Sequence, residues 1–196
     1  MANKKRFNIV IVGTGGQGLI TLLQILAEAA ILEDYDVKTS ELHGLSQRGG
    51  SVEVHIRFDH EIHSPLVAQG GADLILALEM QESLKGIHFS NPKTTFLINK
   101  FFVPILGEKL LKEKEILKEL KKNSKNIVLI PAADICEKEL GKNVVAGVYL
   151  LSYASHKKII PLKPNSILKA MEKVVPEKYF ELNKKTFELA KKYVKD

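Results

Sequence analysis

Two glycine-rich segments contain the residues of this sequence whose types and spacing fit the binding of an anion. The first has glycines in the pattern G-x-G-x-x-G, and such a loop lets its backbone approach a phosphate closely. The second surrounds Arg48, whose guanidinium can bind a pyrophosphate or a carboxylate through paired hydrogen bonds. The candidate binding residues are Gly13, Thr14, Gly15, Gly16, Gln17 and Gly18 in the first segment, and Ser46, Gln47, Arg48, Gly49 and Gly50 in the second.

The first segment lies between a predicted strand and a predicted helix. Phe7 to Val12 is a short apolar run typical of a buried parallel strand, and Leu19 to Leu32 has apolar residues at helical spacing. Strand, loop and helix therefore form a βα unit, in which the helix N-terminus offers unpaired N–H groups to an anion. Without a ligand, the glycine turn would only pack the helix on the sheet, and Arg48 would only fix its loop or pair with an acidic residue of a partner subunit.

A dinucleotide-binding module is one alternative interpretation of the first loop. Such modules place an acidic residue about twenty positions further on, at the end of the second strand, where it binds the ribose hydroxyls. Glu41 follows the predicted strand Asp36–Ser40 and occupies that place. The chain would then be a free-standing NAD- or FAD-binding protein.

The remaining pattern predicts an α/β fold with an open, mostly parallel, Rossmann-like sheet, helices on both faces and a helical C-terminal region. Ser51 to Phe58 alternates polar and apolar residues, which predicts a half-exposed strand, antiparallel or at an edge. The apolar runs 74–78, 95–98 and 127–130 suit central strands, and 62–65 a short return strand. Helices are expected over 81–88, 104–122 and 132–140, with two or three more from residue 143 onward.

Composition limits the possible functions. The 196 residues suit one domain spanning 1–196. Cys136 is the only cysteine, so the chain cannot form an internal disulfide or supply the four ligands of an iron–sulfur cluster, and we interpret it as a small buried apolar residue. His60 and His63 have the spacing of a metal pair but lack further ligands, and no metal site is predicted. No serine-hydrolase, zinc-protease or P-loop motif occurs, so no catalytic residue is predicted in this chain alone.

The sequence also argues against membrane and nucleic-acid partners. No apolar stretch approaches the roughly 20 residues that span a bilayer, and the N-terminal basic residues lead into a strand without a cleavage pattern, so we expect a cytoplasmic protein. The net charge is +6. The lysines of the region 109–122 alternate with glutamates around leucines, which is typical of a solvated helix, and only three residues of the whole chain are arginines.

The two glycine segments together resemble a known family. The combination of G-T-G-G-Q-G with S-E-L-H-G-L-S-Q-R-G-G-S-V, residues 40–52, closely resembles the gamma subunit or gamma domain of the 2-oxoacid:ferredoxin oxidoreductases. Within that family the second segment is most similar to the small beta subunit of the indolepyruvate branch. The resemblance continues through 63–66, 71–79 and 143–151 to the last helix, and it implies that residues 1–196 form one gamma-type catalytic domain of the pyruvate/ketoisovalerate oxidoreductase kind.

The resemblance implies a subunit of an oxidoreductase that acts on an oxo group with an iron–sulfur protein as acceptor. The holoenzyme would convert a 2-oxoacid, with an arylpyruvate such as indolepyruvate favoured, to acyl-coenzyme A and carbon dioxide, and ferredoxin would receive the electrons indirectly. Thiamine diphosphate and iron–sulfur clusters would belong to a larger partner subunit, since the thiamine diphosphate motif is absent here, and this chain alone would be inactive. The two loops would meet coenzyme A or the partner, and a purely structural scaffold subunit is the remaining alternative.

Overall fold

The computed structural model describes residues 6–43, 49–104 and 110–194. Within these ranges six strands form one sheet in the order β2-β3-β1-β4-β5-β6. The strands are β1 (Phe7–Thr14), β2 (Asp36–His43), β3 (Ser51–Asp59), β4 (Leu74–Ala77), β5 (Thr95–Asn99) and β6 (Asn126–Ile130). The α-helices are α1 (Leu19–Ile31), α2 (Glu113–Asn123), α3 (Ala132–Leu140), α4 (Ala146–His156), α5 (Pro164–Val174) and α6 (Glu177–Val194), and 3₁₀ helices span Glu82–Phe89 and Asn143–Val145.

The sheet is mixed because β3 runs against its neighbours. It pairs antiparallel with β1 on one side and with β2 on the other, whereas β1, β4, β5 and β6 pair parallel in succession. Every described strand except β3 therefore points in the same direction. This arrangement brings the loops after β1, β4 and β5 to one edge of the sheet, together with the segment that precedes β3.

Helices cover both faces of the sheet. Ile9 and Ile11 of β1 face one layer, where α1, α3, α4, α5 and α6 pack, while Val10 and Val12 face a second layer with α2 and the first 3₁₀ helix. Alternate residues of one strand are thus buried on opposite sides, which explains why β1 is apolar throughout. The predicted α/β class, the helices on both faces and the helical C-terminal region are confirmed.

Several predicted elements agree closely with the structure. Helix α1 ends one residue before the predicted end, and α3 has the predicted bounds. The alternating segment after Gly50 is antiparallel, as expected. Glycine closes α3, because Gly141 adopts the left-handed conformation that ends many helices.

Four local predictions are wrong for identifiable reasons. No strand forms at 62–65, where Asp36 accepts a hydrogen bond from the Ile62 N–H and Arg57 binds the carbonyl of Ser64. The helix predicted over 104–122 begins at Glu113, since 110–112 are not helical and 105–109 lie outside the described residues. Glu115 accepts a bond from the Lys112 N–H at 2.7 Å at this start. The run 127–130 forms the edge strand β6 and is only half-buried. The polar face of β3 is also less exposed than predicted, since His55 is buried.

Candidate functional site at the carboxyl edge of the sheet

The first glycine loop lies where two neighbouring parallel strands, β1 and β4, are followed by helices on opposite faces of the sheet. After β1 the chain continues into α1 on one face, and after the neighbouring β4 it continues into the 3₁₀ helix on the other face. In open α/β sheets, ligands bind in the crevice outside the carboxyl ends of strands at such a switch point. We therefore place the candidate site at the carboxyl ends of β1 and β4.

Backbone hydrogen bonds join the two glycine segments. The Gly15 N–H donates to the Gly50 carbonyl at 2.8 Å, and the Gly49 N–H donates to the Gly15 carbonyl at 3.3 Å. These bonds continue the β1–β3 ladder beyond its last pair, Thr14 with Ser51. The segments that sequence reasoning selected separately thus form one surface, hereafter the joined loops, which consists of Gly13–Gly18 with Gly49 and Gly50. Ser46, Gln47 and Arg48 lie outside the described residues, so their binding role stays a prediction.

The joined loops contain glycines whose backbone other residues rarely adopt. Gly16 has φ of +101° and Gly18 has φ of +79°. A Cβ built on either of them would meet no heavy atom of the described chain within 4 Å. Helix α1 starts directly after Gly18, and no side chain of the described residues caps it. Its first N–H groups therefore have no side-chain cap among the described residues, which suits an anion.

The Gln17 side chain holds the first loop in place through hydrogen bonds to the backbone. Its side-chain oxygen accepts a hydrogen bond from the Thr14 N–H at 2.8 Å, and its side-chain nitrogen donates to the Leu78 carbonyl at 3.4 Å. A Cβ at Gly13 would lie 2.7 Å from that same Gln17 oxygen and 3.2 Å from the Leu78 Cβ, so a larger residue there would displace the Gln17 side chain. The contacts of Gln17 thus tie the end of β1 to the end of β4.

Two buried carboxylates follow β4 and were missed by sequence reasoning. Glu79 is 2% exposed and Glu82 is 6% exposed. Burial raises the pKa of Glu79, although hydrogen bonds from the backbone N–H groups of Glu82, Val103 and Gln81 oppose that shift. Glu82 accepts a hydrogen bond from the Ser51 hydroxyl at 2.6 Å and pairs with Lys85 at 2.9 Å. The sequence signal that could have identified them is their position directly after an apolar strand, because residues there lie at the edge of the sheet where parallel strands end.

Two concave regions flank the first loop. A cavity of about 120 Å³ lies between Gly16, Gln17 and the end of β5, where Asn99 binds the Leu78 carbonyl and accepts a bond from the Ala133 N–H. A larger, mostly apolar groove of about 450 Å³ runs from Gly18 along α1 to the start of α6. Gln17 lines both regions. The loop therefore forms a ridge with space on each side.

The other polar residues weighed in the sequence have structural contacts. The His55 Nδ1 accepts a bond from the Val67 N–H, so its Nε2 carries the proton that is shared with Glu53 at 2.9 Å. Cys136 is fully buried, and burial raises the pKa of its thiol to about 12.

Among the described residues, no group of three or more His, Cys, Asp or Glu side chains could hold a metal ion. No helix in the described ranges is long and apolar enough to cross a membrane.

The strand order argues against the dinucleotide alternative. That interpretation needs the second strand beside the first, so that Glu41 can reach a ribose next to the glycine loop. Here β3 separates β2 from β1, which places Glu41 two strand spacings away, about 10 Å from β1. Glu41 is also exposed on the outer strand of the sheet.

Solved structures share this fold. A keto/oxoacid ferredoxin oxidoreductase gamma subunit from Geobacter sulfurreducens matches with a TM-score of 0.70 and 22% identity, covering 96% of this chain and 98% of that chain. A 2-oxoglutarate:ferredoxin oxidoreductase from Magnetococcus marinus, solved with 2-oxoglutarate, coenzyme A and succinyl-CoA, matches with a TM-score of 0.72 and 19% identity. That match covers 98% of this chain but 31% of the other, so the same fold occurs within a much longer polypeptide.

Sequence comparison then assigns the family. The model of the pyruvate ferredoxin/flavodoxin oxidoreductase family matches residues 8–193, and the chain belongs to this family. The indolepyruvate oxidoreductase subunit IorB of Archaeoglobus fulgidus is 36% identical over 192 residues, which are 94% of this chain and 93% of that protein. The family resemblance predicted from the two glycine segments is confirmed, and the chain is a subunit of the 2-oxoacid:ferredoxin oxidoreductase type.

Proposed function

We propose that this chain is the small subunit of an arylpyruvate:ferredoxin oxidoreductase and that its joined loops bind an anionic part of coenzyme A at the contact with a larger subunit. The holoenzyme would convert a 2-oxoacid such as indolepyruvate to an acyl-coenzyme A and carbon dioxide. The branch assignment rests on similarity over nearly the whole chain to proteins called indolepyruvate oxidoreductase subunits.

The observation that carries the proposal is the pair of backbone hydrogen bonds between Gly15 and the second glycine segment. They place Gly49 and Gly50 beside the uncapped start of α1, with Arg48 the next residue along the chain. A pyrophosphate needs several N–H donors and a positive charge within a few ångströms, and the first N–H groups of α1 together with the Arg48 guanidinium would supply them. Coenzyme A supplies a pyrophosphate and accepts the acyl group.

The residues of this chain do not fit an iron–sulfur cluster. Cys136 is the only cysteine, it is fully buried among the core residues of α3, and its thiol resists ionisation. The clusters and thiamine diphosphate would therefore be held by the larger subunit. This chain would contribute by binding and orienting the acyl acceptor, not by moving electrons.

The subunit role is tested by reconstitution with the larger subunit. Anaerobic reduction of a viologen dye, dependent on a 2-oxoacid and coenzyme A, is measured with the larger subunit alone and with both chains. Activity that needs both chains supports the proposal, and the preferred 2-oxoacid identifies the substrate class. Full activity of the larger subunit alone would favour a scaffold role.

The coenzyme A contact is tested separately by Arg48→Ala in the reconstituted complex. Loss of a bidentate contact to a phosphate should raise KM for coenzyme A by about tenfold or more while kcat changes little. Arg6→Ala is the matched control, because Arg6 forms an exposed pair with Asp59 at the opposite end of β1, about 25 Å from the joined loops. An unchanged KM in Arg48→Ala would contradict the contact.

A further inference from the structure

A buried carboxylate lies beside the joined loops without a part in the function proposed above. Glu82 is the first residue of the 3₁₀ helix that follows β4, and it is almost fully buried. One of its oxygens accepts a hydrogen bond of 2.6 Å from the Ser51 hydroxyl, and the Lys85 ammonium donates to both oxygens, at 2.9 and 3.0 Å. Ser51 comes directly after Gly50, so this contact fixes the point where the second glycine segment enters β3.

Glu82 is itself held in place by Glu79. One Glu79 oxygen accepts a hydrogen bond from the Glu82 N–H at 2.8 Å, and the other accepts a longer bond from the Val103 N–H at 3.3 Å. Both carboxylates therefore belong to one buried network that starts at the end of β4. A buried carboxylate with several donors has a well-defined orientation, because movement would leave the charge unpaired.

The network and Gln17 anchor the two loops to the same strand. Ser51 lies opposite Thr14 in the β1–β3 pairing. Thr14 is bound by Gln17, which also binds the Leu78 carbonyl, and Ser51 is bound by Glu82. Each glycine segment thus has one side chain at its base that connects it to the carboxyl end of β4.

We propose that Glu82 is a positioning residue that sets the orientation of the joined loops through Ser51 and thereby controls their affinity for coenzyme A. This inference rests on the proposed function. Glu82 does not touch the ligand in this account. It holds Gly49 and Gly50 in their bonded position against Gly15, in the loop that leads to the start of α1, and a small misplacement of that loop would weaken binding substantially.

The test uses Ser51→Ala and Ser51→Thr in the reconstituted complex, with coenzyme A varied at saturating 2-oxoacid. Ser51→Ala should raise KM for coenzyme A by about tenfold, the scale of one hydrogen bond to a charged group, with kcat within about twofold. Ser51→Thr retains the hydroxyl and should restore the original KM. Ser90→Ala is the matched control, because the Ser90 hydroxyl binds the Ile87 carbonyl at the opposite edge of the sheet.

The outcomes separate this inference from the function on which it rests. If Arg48→Ala raises KM for coenzyme A but Ser51→Ala does not, the positioning role is wrong and the coenzyme contact stands. If neither variant changes KM, the coenzyme contact itself fails. Should Ser51→Ala not assemble, Glu82→Ala decides the question, since it removes the acceptor of the Ser51 hydroxyl, and an unchanged KM for that variant overturns the positioning role.

Discussion

The two ends of the sheet differ in how polar side chains hold the loops. At the amino end, side chains donate hydrogen bonds to the carbonyls of the loop before β4. At the carboxyl end, the side chains that hold the joined loops bind residues next to the strand ends. Asn8 binds the Gly71 carbonyl, Asn91 binds the Gly70 carbonyl and Thr94 binds the Ala72 carbonyl. At the other end, Gln17 and Glu82 anchor loops in which a Cβ added at Gly16, Gly18 or Gly49 would meet no heavy atom of the described chain within 4 Å. Under the proposed function, the amino end serves stability and the carboxyl end gives the proposed binding surface its shape.

The largest expected effect on stability is at the amino end, in Thr94→Val. The Thr94 hydroxyl donates to the Ala72 carbonyl at 2.6 Å and accepts from the Asn91 N–H at 2.8 Å. Valine fills the same volume but removes both bonds, which leaves the half-buried Asn91 N–H without this acceptor and the Ala72 carbonyl with the longer bond from the Asn91 side chain at 3.4 Å. This should lower the free energy of unfolding by about 2 kcal/mol. Urea unfolding followed by circular dichroism measures this loss. Thr39→Val, on the exposed surface of β2, should change it by less than about 0.5 kcal/mol, and equal losses would contradict the account.

A smaller loss of stability, with a selective loss of binding, is expected when matched glycines at the two ends are replaced. Gly18 has φ of +79° and Gly70 has φ of +66°, and neither has a heavy atom closer than 3.8 Å to an added Cβ. Alanine at either position should cost about 1 kcal/mol of stability through backbone strain. Only Gly18→Ala should also raise KM for coenzyme A in the complex, by about tenfold. A similar KM for both variants would remove the distinction between the two ends.

The smallest expected effect is a pH dependence from Glu79. Burial raises the pKa of Glu79 above its ordinary 4.5, so the folded state binds this proton more tightly than the unfolded state. The contribution of Glu79 to stability therefore increases as pH falls through the raised pKa towards 4.5, and decreases as pH rises. Glu79→Gln should remove this part of the pH dependence in urea unfolding, whereas Glu188→Gln on exposed α6 should leave the profile unchanged. Identical profiles for wild type and Glu79→Gln would refute the assignment.

Much of the fold could be predicted because its signals are local. The apolar strand before Gly13 and the helical spacing after Gly18 identify β1 and α1, and strict alternation after Gly50 indicates an antiparallel strand. The insertion of β3 between β1 and β2 could not be predicted, because strand order depends on pairing between distant segments. Helix α2 starts late for a local reason, the contact of Glu115 with the Lys112 N–H, which amphipathic spacing does not reveal.

The candidate site could be located from sequence but not completed. Glycine spacing selected both segments, and the structure joins the described part of them through Gly15. The inward role of Gln17 depends on the position of the Leu78 carbonyl, and the role of Glu82 depends on Ser51 of another strand. Contacts between residues that are far apart in the sequence produce no regular spacing, so they cannot be predicted from one sequence.

Ligand binding at the carboxyl edge of the sheet can be tested by amide hydrogen exchange of the reconstituted complex with and without coenzyme A. We expect coenzyme A to slow exchange in peptides covering 13–22 and 46–54, which contain the joined loops and the start of α1. Peptides covering 68–74 and 90–95 at the amino end should exchange at the same rate in both states. Slower exchange confined to the amino end, or to α5 and α6, would contradict the claim that the carboxyl edge is the ligand-binding edge.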